Sequence, residues 1–116
     1  MEDILKSALE FSNFRKNLEL QKKTLKDKLA ANLTIGHNGG IFYIDQSLIV
    51  FIEFLISKSR IDNIPVIDRN GNPINIKNIL EFQEKILDVY FTSTNDYLLE
   101  FEKLKVTRSN SDLLKL

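Results

Sequence analysis

Apolar side chains recur every seven residues at the start of the chain, at Ile4, Phe11, Leu18 and Leu25. Residues 2–33 contain neither proline nor glycine, so nothing in the segment interrupts a helix. The pattern predicts one long helix over residues 2–33, about 45 Å in length. A helix of that length exceeds what one small core can cover, so part of its apolar stripe needs a partner outside that core.

The helical pattern stops at the glycine-rich segment Gly36–Gly40, which predicts a turn leading into a short strand at Ile41–Ile44. Asp45 can then cap a second helix, whose run Leu48–Ile56 is interrupted by one charge, at Glu53. Because the run is apolar nearly all round, its period fits a buried helix or a buried strand, and its length and cap favour a helix. Glu53 is expected on the one solvent-facing side or in a pair. The run is too short to span a membrane.

The stretch IDRNGNPINI carries Asn70-Gly71 between apolar residues, which is the pattern of a two-residue type I′ β-hairpin turn. The resulting register pairs Ile67 with Ile74 and places Asp68 on the outer face. The side chains expected to face the core in this register are Pro65, Ile67, Ile74 and Ile76.

A calcium loop is the alternative interpretation of the same stretch, since acid and amide oxygens alternate around a glycine. With Asp68 at position 1 of such a loop, Asn70 and Asn72 occupy positions 3 and 5. Pro73 then replaces the glycine required at position 6, and Ile79 replaces the bidentate glutamate at position 12. The sequence therefore predicts a turn and no metal.

Asn78, with Glu81 three residues later, resembles a capping box and predicts the start of a second long helix, from Ile79 to about Arg108. Its apolar stripe is wider than a two-stranded seam, so two packing partners are expected. Polar residues at seam positions, here Thr94 and Gln83, often set register or oligomeric state. One heptad position holds Leu80, Leu87, Thr94 and Phe101, the other holds Gln83, Tyr90, Tyr97 and Leu104, and Ile79, Ile86, Phe91 and Leu98 widen the stripe.

These elements predict an α+β fold that is mostly helical, with two long helices flanking a small head of short strand, short helix and β-hairpin. A chain of 116 residues is expected to form a single domain. Within it, residues 2–33 and 79–108 are the long helices, residues 34–78 the head and residues 109–116 a tail.

Composition excludes several kinds of chemistry. Sixteen basic and sixteen acidic side chains cancel, so the chain has no overall field to attract nucleic acid or an anionic membrane. The absence of cysteine rules out a thiolate nucleophile, a zinc ribbon and an iron–sulfur site. Without a signal peptide, the chain is expected to stay in the compartment where it was made, which makes it intracellular or viral rather than secreted.

The only histidine, His37, could act as a general base or a metal ligand, but no acid or nucleophile stands at a motif spacing from it. It is expected in an exposed loop. The same glycine-rich loop could bind phosphate, yet it lacks the GK[ST] ending and precedes a strand. The sequence thus predicts no catalytic, cofactor or metal site, and no enzyme activity.

The segment from Gly40 to Arg108 contains, in this order, GIFYID, LIVFIEFLI, VIDRNGNPINI and a helix with LEFQ, YF and NDYLLEFEKL. This order resembles that of small virion or assembly proteins of large contractile-tailed bacteriophages. The resemblance implies a non-enzymatic structural or assembly role with phage proteins as partners, and it transfers no functional residue.

The leading hypothesis is therefore a structural or assembly protein that acts through helix-mediated association with further copies or other virion proteins. A helix-head-helix chaperone, similar to prefoldin subunits, is another possibility, although the central helix argues against it. The side chains expected at the contact are Phe11, Leu18, Leu25, Leu87, Tyr97 and Phe101.

Nucleic-acid binding is the alternative function, because basic residues cluster on the first helix. Phe14 is the only aromatic residue nearby, and Glu19 lies within the stripe, so a solvated face is the favoured interpretation. The residues that would bind nucleic acid are Arg15, Lys16, Lys22, Lys23, Lys26 and Lys28.

Overall fold

The computed structural model describes residues 2–106. The fold is α+β and mostly helical: one long helix comes first in chain order, another comes last, and two antiparallel β-hairpins lie between them in the sequence. The predicted fold class is confirmed. The predicted tail, residues 109–116, and the predicted helix end near Arg108 lie outside the described residues. In chain order the elements are α1 (Glu2–Asn32), β1 (Thr34–His37), β2 (Gly40–Tyr43), α2 (Gln46–Ser57), β3 (Asp62–Ile67), β4 (Pro73–Asn78) and α3 (Ile79–Lys105).

The chain divides into two compact units. The hairpin unit comprises residues 29–95 and contains both hairpins and α2. The helix unit comprises residues 1–28 together with 96–116, of which the structure describes 2–28 and 96–106.

The first hairpin corrects one prediction. The turn expected within Gly36–Gly40 does form, but residues Thr34–His37 before it form an unpredicted strand that pairs with β2, and His37 lies opposite Gly40. Asn38 and Gly39 form the two-residue turn, with φ values of 50° and 84°. Positive φ at both central residues is the mark of a type I′ turn. The Asn-Gly pair therefore forms a type I′ hairpin turn at residues 38–39, where no hairpin was predicted.

The second hairpin has a register one residue away from the predicted one. Val66 lies opposite Ile74, and Ile67 lies opposite Pro73. Gly71 has a φ of 81°, whereas Asn70 is not among the positive-φ residues of the described chain, which is incompatible with a type I′ turn. The backbone N–H of Asp68 donates to the carbonyl of Asn72 at 2.9 Å, so the loop holds three residues.

A one-residue slip exchanges the two faces of a strand, so part of the predicted core face is wrong. Ile67 is 62% exposed, and Pro65 is exposed as well. Asp68, expected on the outer face, is buried. The side chains that face the core are Ile64, Val66, Ile74 and Ile76, of which Val66 and Ile76 are fully buried.

The loop takes this form because the Asp68 carboxylate accepts three backbone N–H groups. Its Oδ1 accepts from Asn70 at 3.0 Å and from Asn72 at 2.8 Å, within its own loop. Its Oδ2 accepts from Ile41 in β2 at 3.0 Å, and the N–H of Arg69 donates to the carbonyl of Ile41 at 2.8 Å. Asp68 therefore shapes one hairpin and joins it to the other.

The helix starts agree with the predictions. Asp45 Oδ1 accepts from the N–H of Leu48 at 2.8 Å and caps α2, so the helical interpretation of this segment is confirmed. Asn78 Oδ1 accepts from the N–H groups of Leu80 and Glu81 at 2.9 Å and 3.2 Å and caps α3. Each cap satisfies backbone donors that lack a partner within the helix.

The core of the hairpin unit is aliphatic with two phenylalanines at its centre. The rings of Phe42 and Phe82 meet edge to face, with centroids 5.2 Å apart. Gly40 is buried, and a Cβ there would overlap the side chain of Ile74, so glycine permits the close approach of the two hairpins. The buried members of this core are Leu33, Phe42, Ile44, Ile52, Leu55, Val66, Ile76, Ile79, Phe82 and Ile86.

The buried positions of α3 differ from the predicted heptads. Phe82, which the heptads left out, is fully buried, whereas Leu80, Phe91 and Leu98 are exposed. In the helix unit, Leu104 is buried. No described residue of α1 is fully buried, and its half-buried side chains within the helix unit are Phe14, Leu18, Lys22 and Leu25.

Replacing Gly71 with valine is expected to destabilise the fold by about 1–3 kcal/mol, because a β-branched residue is strained at positive φ. The backbone there has a φ of 81°, and an added Cβ would meet no atom within 4 Å, so the cost comes from backbone strain alone. Urea denaturation measures it. Calcium is expected to leave the melting temperature unchanged, and a calcium-dependent rise would support the metal-loop interpretation instead.

Candidate protein-interaction surface

The outward side of α2 exposes large apolar side chains to solvent. Val50 is 67% exposed, Phe54 is 54% exposed and Phe51 is 44% exposed, while Ile52 and Leu55 of the same helix are buried. Exposed apolar residues are ordinary when they are scattered, but a contiguous group on one helix indicates a contact surface. We call this surface the α2 face; it consists of Ser47, Val50, Phe51, Phe54 and Lys58.

An open groove runs along the α2 face. It has a volume of about 530 Å³ and is lined by Gln46, Ser47, Val50, Phe51 and Phe54. The groove is apolar at its centre and polar at its N-terminal end. Aromatic side chains in such a position supply most of the apolar area that a binding partner can cover.

The borders of the α2 face are polar or aromatic. At the C-terminal end, Lys58 Nζ lies 5.8 Å from the centroid of the Phe54 ring, in the range of a cation–π contact. At the N-terminal end, Gln46 Nε2 donates to the hydroxyl of Tyr90 at 3.5 Å. The ring of Tyr90 packs edge-on against exposed Phe91, with centroids 5.9 Å apart. The surface therefore has an apolar centre with polar residues around it.

Sequence reasoning identified α2 but missed the α2 face. It treated the run as buried, because nearly every position is apolar. Only Ile52 and Leu55 of the helix are fully buried, since the core contacts one side of it. The available signal was the excess of apolar residues over what one side of a 12-residue helix can bury. Glu53 was expected on the solvent-facing side of the helix or in a pair. It is exposed, and it also accepts a hydrogen bond from Gln83, so both expectations are met.

The predicted contact residues fall in both units. In the helix unit, Phe11 is exposed and Leu18 and Leu25 are half-buried. Tyr97 and Phe101, also in the helix unit, are half-buried and pack their rings against each other with centroids 6.0 Å apart. Leu87 lies in the hairpin unit and is half-buried. These positions stay candidates for association beside the α2 face. The helix unit further exposes Ile4, Leu5, Leu9, Leu20, Leu98 and Leu99.

The basic residues predicted for nucleic-acid binding lie along α1. Lys22 is half-buried, with its Nζ 4.0 Å from the Glu19 carboxylate, an arrangement that reduces the positive potential of the stripe. The other five side chains are exposed: Arg15, Lys16, Lys23, Lys26 and Lys28.

His37 lies in a small polar cleft rather than in an exposed loop, so its predicted environment is wrong. The imidazole is half-buried at the end of β1, with its centroid 4.8 Å from that of Phe82. Lys85 Nζ lies 3.2 Å from Nδ1 of His37 and donates to the carbonyl of Gly36 at 3.1 Å. The cleft has a volume of about 280 Å³ and is lined by His37, Asn38, Asn75, Lys77, Asn78 and Glu81.

The electrostatics of this cleft are unfavourable for a general base. Burial, and secondly the Lys85 ammonium, lower the pKa of His37, so its ring is a weaker base than an ordinary imidazole. Nδ1 is the atom nearest to Lys85, and it serves as the acceptor for that donor. Within residues 2–106, no group of three or more His, Cys, Asp or Glu side chains is placed to hold a metal ion.

In the described part of the chain, no helix is both long and apolar enough to cross a membrane. No protein family, curated protein or solved structure matches this chain.

Proposed function

We propose that this chain is a non-enzymatic structural or assembly protein that works through helix-mediated association with other protein chains. The observation that carries the proposal is the α2 face, which leaves Val50, Phe51 and Phe54 exposed to water although the hairpin unit has a buried apolar core. Burial of apolar area is the main driving force of protein association, about 25 cal/mol per Å² removed from water. Exposed aromatic residues on a rigid helix are therefore suited to binding a partner.

The rigid support of the α2 face favours binding over a role in chemistry. Asp45 caps the start of α2. At the other end, the N–H groups of Ser59 and Arg60 donate to the carbonyls of Ile56 and Leu55 at 2.9 Å and 2.8 Å, which closes the helix in a Schellman motif. A helix fixed at both ends presents its side chains with little loss of conformational entropy on binding.

The setting in a phage particle rests on the resemblance of the segment from Gly40 to Arg108. Proteins of such particles bind copies of themselves or other virion proteins, and the apolar surfaces of this chain suit that role. The expected site of action is the virion or the host cytoplasm.

The full chain is expected to self-associate or to bind a partner chain at tens of micromolar concentration. Size exclusion coupled to light scattering over a concentration series measures the molecular mass. The result that contradicts the proposal is a monomer at every concentration whose α1 and α3 amides are fully protected from hydrogen exchange, because the apolar helix surfaces would then need no partner.

A further inference from the structure

We propose that the α2 face binds the α2 face of a second copy of this chain, with the two helices antiparallel about a two-fold axis. The inference rests on the proposed function and names its partner. It places the contact on α2, whereas the sequence pattern had placed association on the two long helices.

The spacing of four of the five residues on the α2 face is the same in both directions along the helix. Ser47, Phe51, Phe54 and Lys58 are separated by four, three and four residues, which keeps them on one line along the helix. In an antiparallel pair, Phe51 of each copy therefore lies opposite Phe54 of the other, and Ser47 of each copy lies opposite Lys58 of the other. A two-fold contact requires such a self-complementary surface.

The charges at the two ends of α2 favour the antiparallel direction. Exposed Asp45 lies at the N-terminal end and exposed Lys58 at the C-terminal end. Antiparallel helices bring the acidic end of each copy to the basic end of the other, and they also oppose the two helix dipoles. A parallel pair would set Lys58 beside Lys58. Small Ser47 leaves room for the long Lys58 side chain opposite it.

The size of the surface sets the expected strength of the dimer. A helix of 12 residues is about 18 Å long, and its face alone is smaller than the ~800 Å² per partner of a standard interface. Phe91, held against Tyr90 beside the N-terminal end of α2, can extend the contact. We therefore expect a dissociation constant on the order of micromolar.

Disulfide cross-linking tests the direction of the helices, because the native chain contains no cysteine. Ser47→Cys and Lys58→Cys each add one thiol, and differently tagged proteins can be mixed. We expect a disulfide between the two variants in the mixture. Ser47→Cys alone is expected to give none, because the two copies of residue 47 would lie about 16 Å apart along the helices, beyond the ~7 Å between Cα atoms that a disulfide spans.

Sedimentation equilibrium tests the contribution of the apolar centre. Phe54→Ser is expected to raise the dissociation constant about tenfold or more. The matched control is Ile67→Ser, which removes a side chain of similar exposure, 62%, from β3 of the same unit and is expected to leave the constant unchanged. Circular dichroism checks that both variants keep their helices.

The outcomes separate this inference from the proposed function. If the chain self-associates but the mixed cysteine variants do not cross-link and Phe54→Ser has no effect, the α2 contact is overturned and the proposed function stands. Self-cross-linking of Ser47→Cys, or a monomer that binds a different protein through Phe54, also overturns the antiparallel dimer. A monomer without any partner and with fully protected helices overturns both.

Discussion

Replacing Phe82 with alanine is expected to destabilise the fold by about 3–5 kcal/mol, the usual cost of removing a large aromatic side chain from a core. The side chain of Phe82 is 0% exposed. Its ring meets those of Phe42 and His37 at centroid distances of 5.2 Å and 4.8 Å, so it joins α3 to both strands of the first hairpin. Urea denaturation of the full chain measures the loss.

Phe91→Ala is the matched control, since it removes the same side chain from the same helix. Phe91 is 58% exposed and contacts Tyr90, so its removal is expected to cost about 1 kcal/mol or less. Equal losses for the two variants would mean that the core is not centred on Phe82, or that Phe91 is covered in an assembly at the protein concentration used. Repeating the measurement at several concentrations distinguishes these cases, because only an assembly makes stability depend on concentration.

The contrast between these two phenylalanines shows what the sequence could predict of α3. Its start at Ile79 and its long apolar pattern followed from the sequence, because a cap and a period are local properties. The choice of the buried side did not. Ile79, Phe82 and Ile86 follow helical spacing as well as Leu80 and Leu87 do, and only the position of the hairpins decides which set is covered.

The hairpins show how one side chain can override a local signal. Asn-Gly occurs at 38–39 and at 70–71, and the two-residue turn forms only at the first. At the second, Asp68 gathers the N–H groups of Asn70 and Asn72 into a three-residue loop and so shifts the register. Its third bond, to Ile41, depends on a hairpin 27 residues away in the chain, which a reading of the turn alone could not include.

The candidate site was the least predictable part. Exposed and buried apolar residues are chemically alike, so the composition of α2 could not distinguish Val50 and Phe54 from Ile52 and Leu55. What distinguishes them is the direction from which the core contacts the helix, and that direction is set by strands distant in sequence. The sequence did indicate association in general, through more apolar surface than one small core can cover.

Asp68→Asn is expected to lower the melting temperature by several degrees at pH 7, although the two side chains have nearly the same shape. An asparagine oxygen could still accept from Asn70 and Asn72. The amide nitrogen would replace Oδ2, which accepts from the N–H of Ile41 at 3.0 Å, and would set a donor against a donor. This bond between the two hairpins would be lost, and the N–H of Ile41 would be left without its partner.

The difference between native protein and Asp68→Asn should depend on pH with a definite sign. The N–H of Ile41, and after it that of Asn72, hold the pKa of Asp68 below its ordinary value of 3.8. A carboxyl group with a lowered pKa contributes its stability above the ordinary pKa and loses it as the pH falls through the lowered one. The gap in melting temperature is therefore expected to be constant between pH 7 and pH 5 and to shrink toward pH 3. Thermal unfolding followed by circular dichroism at these three pH values measures the gap.

Asp62→Asn supplies the control for this experiment, because it makes the same acid-to-amide change at an exposed position at the start of β3. Its melting temperature should stay close to that of the native protein at pH 7. A gap for Asp68→Asn that keeps its full size at pH 3 would mean that the carboxylate charge is not what holds the two hairpins together. The gap in melting temperature would then come from the shape of the Asp68 loop alone. A gap that shrinks for Asp68→Asn, while Asp62→Asn shows none, would identify the ionised carboxylate of Asp68 as one link between β2 and the second hairpin.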